Sequence, residues 1–247
     1  MTVALHRAFD WRGPDRIVLV HGFTQTLRSW DRPAGLLSET FQVVRVDLPG
    51  HGGSGDVDLS FEETAAALGE AGGTATYVGY SLGGRLCLRL AVDRPDIVQS
   101  LVLVGASPGL ADAGQRSDRQ AADEALAAEI ERTGTAAFLE RWLAQPLFAD
   151  LGPDPDDIDA RLANSPAGLA RALRRLGTGV QEPLWDRLGE LKMPVLAVTG
   201  QKDVKFSRIA DEMAGKLPPA ADRVPAASLV DPVGGQEGGV GDGPAHP

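Results

Sequence analysis

A chain of 247 residues, 43% of them hydrophobic, is long enough to bury one sizeable α/β core or two small ones. Its 34 Asp and Glu against 24 Lys and Arg give a net charge of −10, and no Lys/Arg run stands out, which argues against a nucleic-acid partner. The single cysteine, Cys87, excludes an internal disulfide framework, no apolar run approaches a membrane span, and residues 1–10 lack a signal-peptide core, so a cytoplasmic protein with no membrane insertion is expected.

In chain order, residues 3–9 are expected to form an edge strand, and Arg12-Gly13-Pro14-Asp15 a turn. Ile17-Val18-Leu19-Val20 is a short continuous apolar run, the pattern of a strand buried on both faces of a parallel sheet. It runs into His21-Gly22-Phe23, where a glycine lets the backbone approach a ligand and the N–H of Phe23 is a candidate oxyanion donor. Strand 42–46 ends in Asp47-Leu48-Pro49-Gly50-His51-Gly52, a Pro/Gly-rich turn. His21 and His51 are both read as loop braces rather than bases. A helix over 61–70 starts at Ser60 and Glu63, the spacing of a capping box.

Strand 74–78 then leads into Gly79-Tyr80-Ser81-Leu82-Gly83-Gly84, and a helix over 82–92 follows. A G-x-S-x-G sequence between a strand and a helix is the pattern of a nucleophile elbow. Gly79 and Gly83 relieve crowding around Ser81, and the N–H of Leu82, at the helix start, can face a developing oxyanion. Cys87, inside that helix, reads as a small buried apolar residue. Residues 98–104 form another buried strand. Strands alternating with helices at this spacing imply a parallel, doubly wound α/β sheet.

The alternation then stops. Segments 118–132, 135–143, 155–162 and 167–176 read as helices with no strand between them, a helical cap inserted over the strand ends. The core resumes with strand 193–200, Asp203 just beyond it, and a helix over 205–217. Core is therefore expected at 1–110 and 177–225, and cap at 111–176. Residues 226–247 read as an irregular Gly/Pro-rich tail, with a last strand fitting at 222–224.

These features resemble the α/β-hydrolases. More narrowly, the chain is similar to the 2-succinyl-6-hydroxy-2,4-cyclohexadiene-1-carboxylate (SHCHC) synthases, pyruvate-eliminating lyases of menaquinone biosynthesis. The narrower likeness rests on Asp47 to Gly52, Gly79 to Arg85, Ser107-Pro108-Gly109-Leu110, Trp142 with Gln145-Pro146-Leu147-Phe148, and Asp203 with Lys205-Phe206. It implies a small-molecule, carboxylate-bearing substrate, no metal or organic cofactor, Ser81 and Asp203 as catalytic residues, and oxyanion donors at Phe23 and Leu82. It also implies carboxylate clamps at Arg85, Arg119 and Arg161, with Tyr80 and Trp142 lining the pocket. Arg85 follows independently from its place one helical turn after Ser81, and Arg116 competes with Arg119.

The chain departs from the family pattern in one respect. A triad histidine belongs near Ala227 or Ser228, yet none occurs from 204 to 245, leaving His246 as the only candidate. Residues 234–247 are expected to be poorly ordered, with His246 away from Ser81, and turnover to fall by orders of magnitude relative to a complete triad. Two alternatives to the lyase remain: a serine esterase or C–C bond hydrolase, and a non-catalytic relative that binds a carboxylate ligand. Monomer or homo-oligomer is left open.

Overall fold

The computed structural model describes residues 3–145 and 155–218, and the backbone of 227–228. Seven strands form one sheet: β1 (Arg7–Trp11), β2 (Arg16–Val20), β3 (Gln42–Val46), β4 (Ala75–Tyr80), β5 (Val98–Val104), β6 (Val195–Thr199) and β7 (Ala227–Ser228), ordered β1-β3-β2-β4-β5-β6-β7. β1 pairs antiparallel with β3, and every other pairing is parallel. Val18, Leu19 and Val20 of β2 and Val43 and Val44 of β3 are at most 1% exposed, as a sheet covered on both faces requires.

The helices are α1 (Asp31–Leu37), α2 (Phe61–Gly72), α3 (Leu82–Asp93), α4 (Ala113–Leu143), α5 (Pro155–Leu162), α6 (Pro166–Leu176) and α7 (Val204–Lys216). Ser60 and Glu63 cap α2 reciprocally, as their spacing anticipates. The main core joins the sheet to α2 and α3 and takes in Cys87, whose thiol burial pushes up, away from the reactive thiolate. A second cluster, Ala127, Ile130, Phe138, Leu139, Leu169, Ala170 and Leu173, packs α4 on α6. Phe23 packs against both clusters, so the loop after β2 is pinned between sheet and inserted helices.

Three elements differ from the sequence reading. β1 starts at Arg7, not at residue 3, because its partner β3 ends at Val46, opposite Arg7. α1 was not read, since Pro33 and Gly35 inside Asp31–Leu37 mask the helical pattern. The two helices expected at 118–132 and 135–143 are one element kinked at Gly134, whose φ of 81° suits glycine. The strand expected at 222–224 lies outside the described residues. β7 lies instead at Ala227–Ser228, so two residues of the segment read as irregular join the sheet beside Val198 and Thr199. The expectations for 229–247, His246 included, also lie outside the described residues. No helix among the described residues is long and apolar enough to cross a membrane.

Candidate active site

The parallel strands β2, β4, β5 and β6 deliver their C-terminal ends to one edge of the sheet, where ligands of open α/β folds bind. Ser81 leaves β4 with φ 50° and ψ −109°, a left-handed conformation for a non-glycine residue. Such a residue stores roughly 1–3 kcal/mol of strain and persists only when its surroundings enforce it. Here the enforcement is backbone pairing and tight packing. Ser81 N–H donates to Val104 O at 2.9 Å, and Arg85 N–H donates to Ser81 O at 3.0 Å. A Cβ on Gly83 would sit 2.3 Å from Val20 O, and one on Gly79 2.5 Å from Gly83 C, so glycine alone permits this approach of α3 to β2 and β4. Among the described residues no partner holds the Ser81 hydroxyl, which borders the cavity below.

The loop after β2 is braced by both histidines. His21 Nδ1–H donates to Gly22 O at 2.8 Å, and its Nε2 accepts from Leu48 N–H at 3.1 Å. His51 Nδ1–H donates to Pro49 O at 3.0 Å, and its Nε2 accepts from Thr24 N–H at 3.2 Å. With both ring nitrogens engaged by backbone, neither ring can take a proton from Ser81. The buried Asp47 carboxylate ties the same loops together, accepting from Leu27 N–H and Gly53 N–H at 2.8 Å each and pairing with His6 Nδ1 at 2.8 Å. Among the described residues the backbone N–H groups of Phe23 and Leu82 have no acceptor, and both residues line the cavity.

Burial lowers the pKa of both histidines, that of His51 to about 4 and that of His21 well below its usual value. The unfolded chain therefore binds more protons than the folded one between pH 6.5 and about 4, and stability falls as pH drops through that window. His51 alone accounts for about 3 kcal/mol of loss at the low end, from its fall from 6.5 to about 4. Urea unfolding followed by tryptophan fluorescence should give a lower midpoint at pH 4.5 than at pH 7, with a shallower pH slope in His51→Gln. An identical slope in that variant would mean that His51 is charged in the fold.

Over Ser81 lies a cavity of about 640 Å³. Its cationic lining is Arg85, Arg119, Arg161 and Lys205, and no Asp or Glu among the described residues lines it. In a chain of net charge −10, this is a local inversion of sign. Tyr80 and Trp142 line it too. Trp142 stacks on Phe138 and meets Phe23 edge-on, both with ring centroids 5.6 Å apart. Burial raises the Tyr80 phenol, with Arg161 opposing and the charges of Asp203 and Asp157 adding, so the phenol stays protonated.

The arginines differ in what holds them. Arg85 is 8% exposed, and its Nη1 and Nη2 donate to Gln181 Oε1 and Leu176 O at 2.8 Å each. Neither acceptor is charged. Burial and the Arg119 charge bring its guanidinium down to about 9, with the Asp123 charge opposing, so it stays cationic at neutral pH with no carboxylate in hydrogen-bond contact among the described residues. Arg161 pairs with Asp157 at 2.5 Å and donates to the Thr24 hydroxyl. Arg119 pairs with the buried Asp123 at 2.7 Å. The competition between Arg116 and Arg119 resolves on placement: Arg116 donates to Leu110 O and Ala111 O and does not line the cavity.

Asp203 sits at the start of α7, where its Oδ1 accepts from Phe206 N–H at 3.0 Å, and it does not line the cavity. Sequence reasoning assigned no role to Lys205, Gln181, Asn164 or Thr24. Only Lys205 carried a signal, as part of the Asp203 to Phe206 motif.

Residues 17–233 match the model of the alpha/beta hydrolase family. The chain belongs to that family. It is 35% identical over 202 residues to the SHCHC synthase of Serratia proteamaculans, covering 78% of this chain and 79% of the relative. The homologous synthase of Escherichia coli O1:K1 is 31% identical, over 80% of this chain and 81% of its own. Among solved structures, MenH from S. aureus superposes with a TM-score of 0.77 and 31% identity over 86% of both chains. An esterase from Thermogutta terrifontis, at 23% identity and a TM-score of 0.71, shares the fold over 87% of this chain and 82% of its own. These likenesses place the chain in an enzyme family and among relatives named as SHCHC synthases.

Proposed function

We propose that this alpha/beta hydrolase is a lyase that eliminates pyruvate from 2-succinyl-5-enolpyruvyl-6-hydroxy-3-cyclohexene-1-carboxylate to form SHCHC, acting in the cytoplasm on the route to menaquinone. The observation that carries this reading is the cavity itself: among the described residues four cations and no carboxylate line the space over Ser81. A substrate bearing succinyl, ring and enolpyruvyl carboxylates satisfies such a lining, whereas a neutral ester leaves the Arg85 guanidinium with neutral acceptors alone. The relatives named as SHCHC synthases support it further.

In this reading Ser81 at its nucleophile elbow removes a substrate proton. A ring double bond forms, the C–O bond to the enolpyruvyl group breaks, and the enolate of pyruvate leaves and takes up a proton to give pyruvate. The N–H groups of Phe23 and Leu82 hold the negative charge that develops. Helices α4 to α6 act as a cap, the 111–176 unit of the sequence reading, and exclude water. Asp203 serves the relay from the N-cap position of α7. Among the described residues no histidine is available for that relay, since His21 and His51 are committed to backbone and His6 pairs with Asp47.

The test is pyruvate release from this precursor, run beside hydrolysis of an activated acetate ester. The same assay on an Ala227→Gly, Ser228→His double variant measures what a restored Gly-His pair adds. Pyruvate release well above ester hydrolysis is the expected result. Ester hydrolysis without pyruvate release would replace the lyase by the esterase reading. Ligand binding without either reaction would leave the carboxylate-binding one.

A further inference from the structure

A closed ring of hydrogen bonds joins the inserted helices to the loop that carries Phe23. Thr24 is fully buried and holds φ 69°, one of two non-glycine residues with positive φ among the described residues. Each of its polar groups is held from another segment. Its N–H donates to His51 Nε2, its hydroxyl accepts from Arg161 Nη1, and its carbonyl accepts from Asn164 Nδ2 at 2.7 Å. Asn164 closes the ring, its Oδ1 accepting from Gly52 N–H at 2.8 Å, next to His51. The Asn164 backbone is anchored in turn: its carbonyl accepts from Thr135 Oγ1 at 2.8 Å, one residue past the α4 kink at Gly134. Asn164 lies between α5 and α6, is 4% exposed, and does not line the cavity.

We propose that Asn164 is a positioning residue: by clamping Thr24 O and Gly52 N together, it holds Thr24 in its left-handed conformation and so aims the Phe23 N–H into the cavity. The Phe23 N–H belongs to the Gly22–Phe23 peptide, which opens the turn closed by Gln25 N–H on Gly22 O at 3.2 Å with the strained Thr24 at its corner, and strain of this kind relaxes when a bond that enforces it is removed. A relaxed Thr24 rotates the neighbouring peptides, and a donor displaced by about 1 Å no longer meets developing charge, at a cost near 100-fold in rate. Asparagine is the residue required, because one end must donate to a carbonyl while the other accepts from an N–H. This inference rests on the reading of Phe23 as an oxyanion donor.

The experiment compares the full chain with Asn164→Ala and Asn164→Asp by amide hydrogen exchange and by pyruvate release, with Ser81→Ala in parallel. Asn164→Asp keeps the acceptor for Gly52 but sets a carboxylate oxygen against Thr24 O. Exchange should rise about tenfold or more over residues 22–26 in both variants, and over 48–53 in Asn164→Ala alone. Turnover should fall about 10- to 100-fold in kcat with KM within about threefold. Unchanged exchange at 22–26 in Asn164→Asp overturns the clamp, whatever the activity. Faster exchange with kcat unchanged overturns the aiming of Phe23. Turnover that survives Ser81→Ala defeats the serine mechanism separately, and exchange still decides the clamp.

Discussion

Ser81→Ala is expected to lower kcat/KM for pyruvate release by at least about 10³-fold while leaving the unfolding midpoint within a few degrees of the parent. The side chain lost is one hydroxyl with no partner among the described residues, so little packing goes with it. What remains is the backbone that enforces the turn: Ser81 N–H on Val104 O, Arg85 N–H on Ser81 O, and the glycine approaches at Gly79 and Gly83. The three arginines and the free N–H groups also remain, so binding should survive. Titration of the variant with succinate-bearing ligands, read by tryptophan fluorescence through Trp142 and Trp30 in the cavity wall, should give a Kd close to the parent's. Unchanged kcat/KM would take the hydroxyl out of the chemistry and leave a binding protein. Lost binding would instead mean that Ser81 shapes the cavity.

Most of what positions this site is legible in the sequence because it is local. The apolar run at 17–20, the capping box at Ser60 and the glycines around Ser81 each act within a few residues, and each appears where its chemistry demands. The bracing role of His21 and His51 was likewise readable from the glycines beside them. The unread part is long-range. Asn164 meets Thr24 140 positions away, and Gln181 meets Arg85 across 96. Such pairs leave no periodic trace, and an asparagine beside a serine reads as an ordinary helix boundary. α1 is hidden for the opposite, local reason, since Pro33 in its first turn and Gly35 in its interior mask the helical pattern.

The charge of the cavity follows a division of labour among its arginines. Arg119 and Arg161 each keep a carboxylate, Asp123 and Asp157, so their positive charge is partly neutralised before any ligand arrives. Arg85 has only neutral acceptors, and its desolvation is already complete in the folded chain. An anion entering the cavity gains most from the charge that lacks a counter-ion in a dry environment.

Arg85 should therefore dominate substrate recognition. Arg85→Ala is expected to weaken transition-state binding by roughly 2–5 kcal/mol, about 30- to 5,000-fold in kcat/KM. Arg85→Lys should recover part of this, because an ammonium restores charge but not the planar two-donor fork. The alanine variant also strands Leu176 O and Gln181 Oε1, so its stability must be measured beside its activity. Gln181→Glu separates the two effects. It keeps the contact at Arg85 Nη1 but supplies the carboxylate that the guanidinium lacks, so the fold gains an ion pair while the substrate loses one. KM should rise by tenfold or more in Gln181→Glu with an unfolding midpoint no lower than the parent's, a combination that loss of packing cannot produce. If Arg85→Ala and Gln181→Glu both leave kcat/KM within tenfold of the parent, Arg85 holds α3 to the 176–181 segment and does not clamp the substrate.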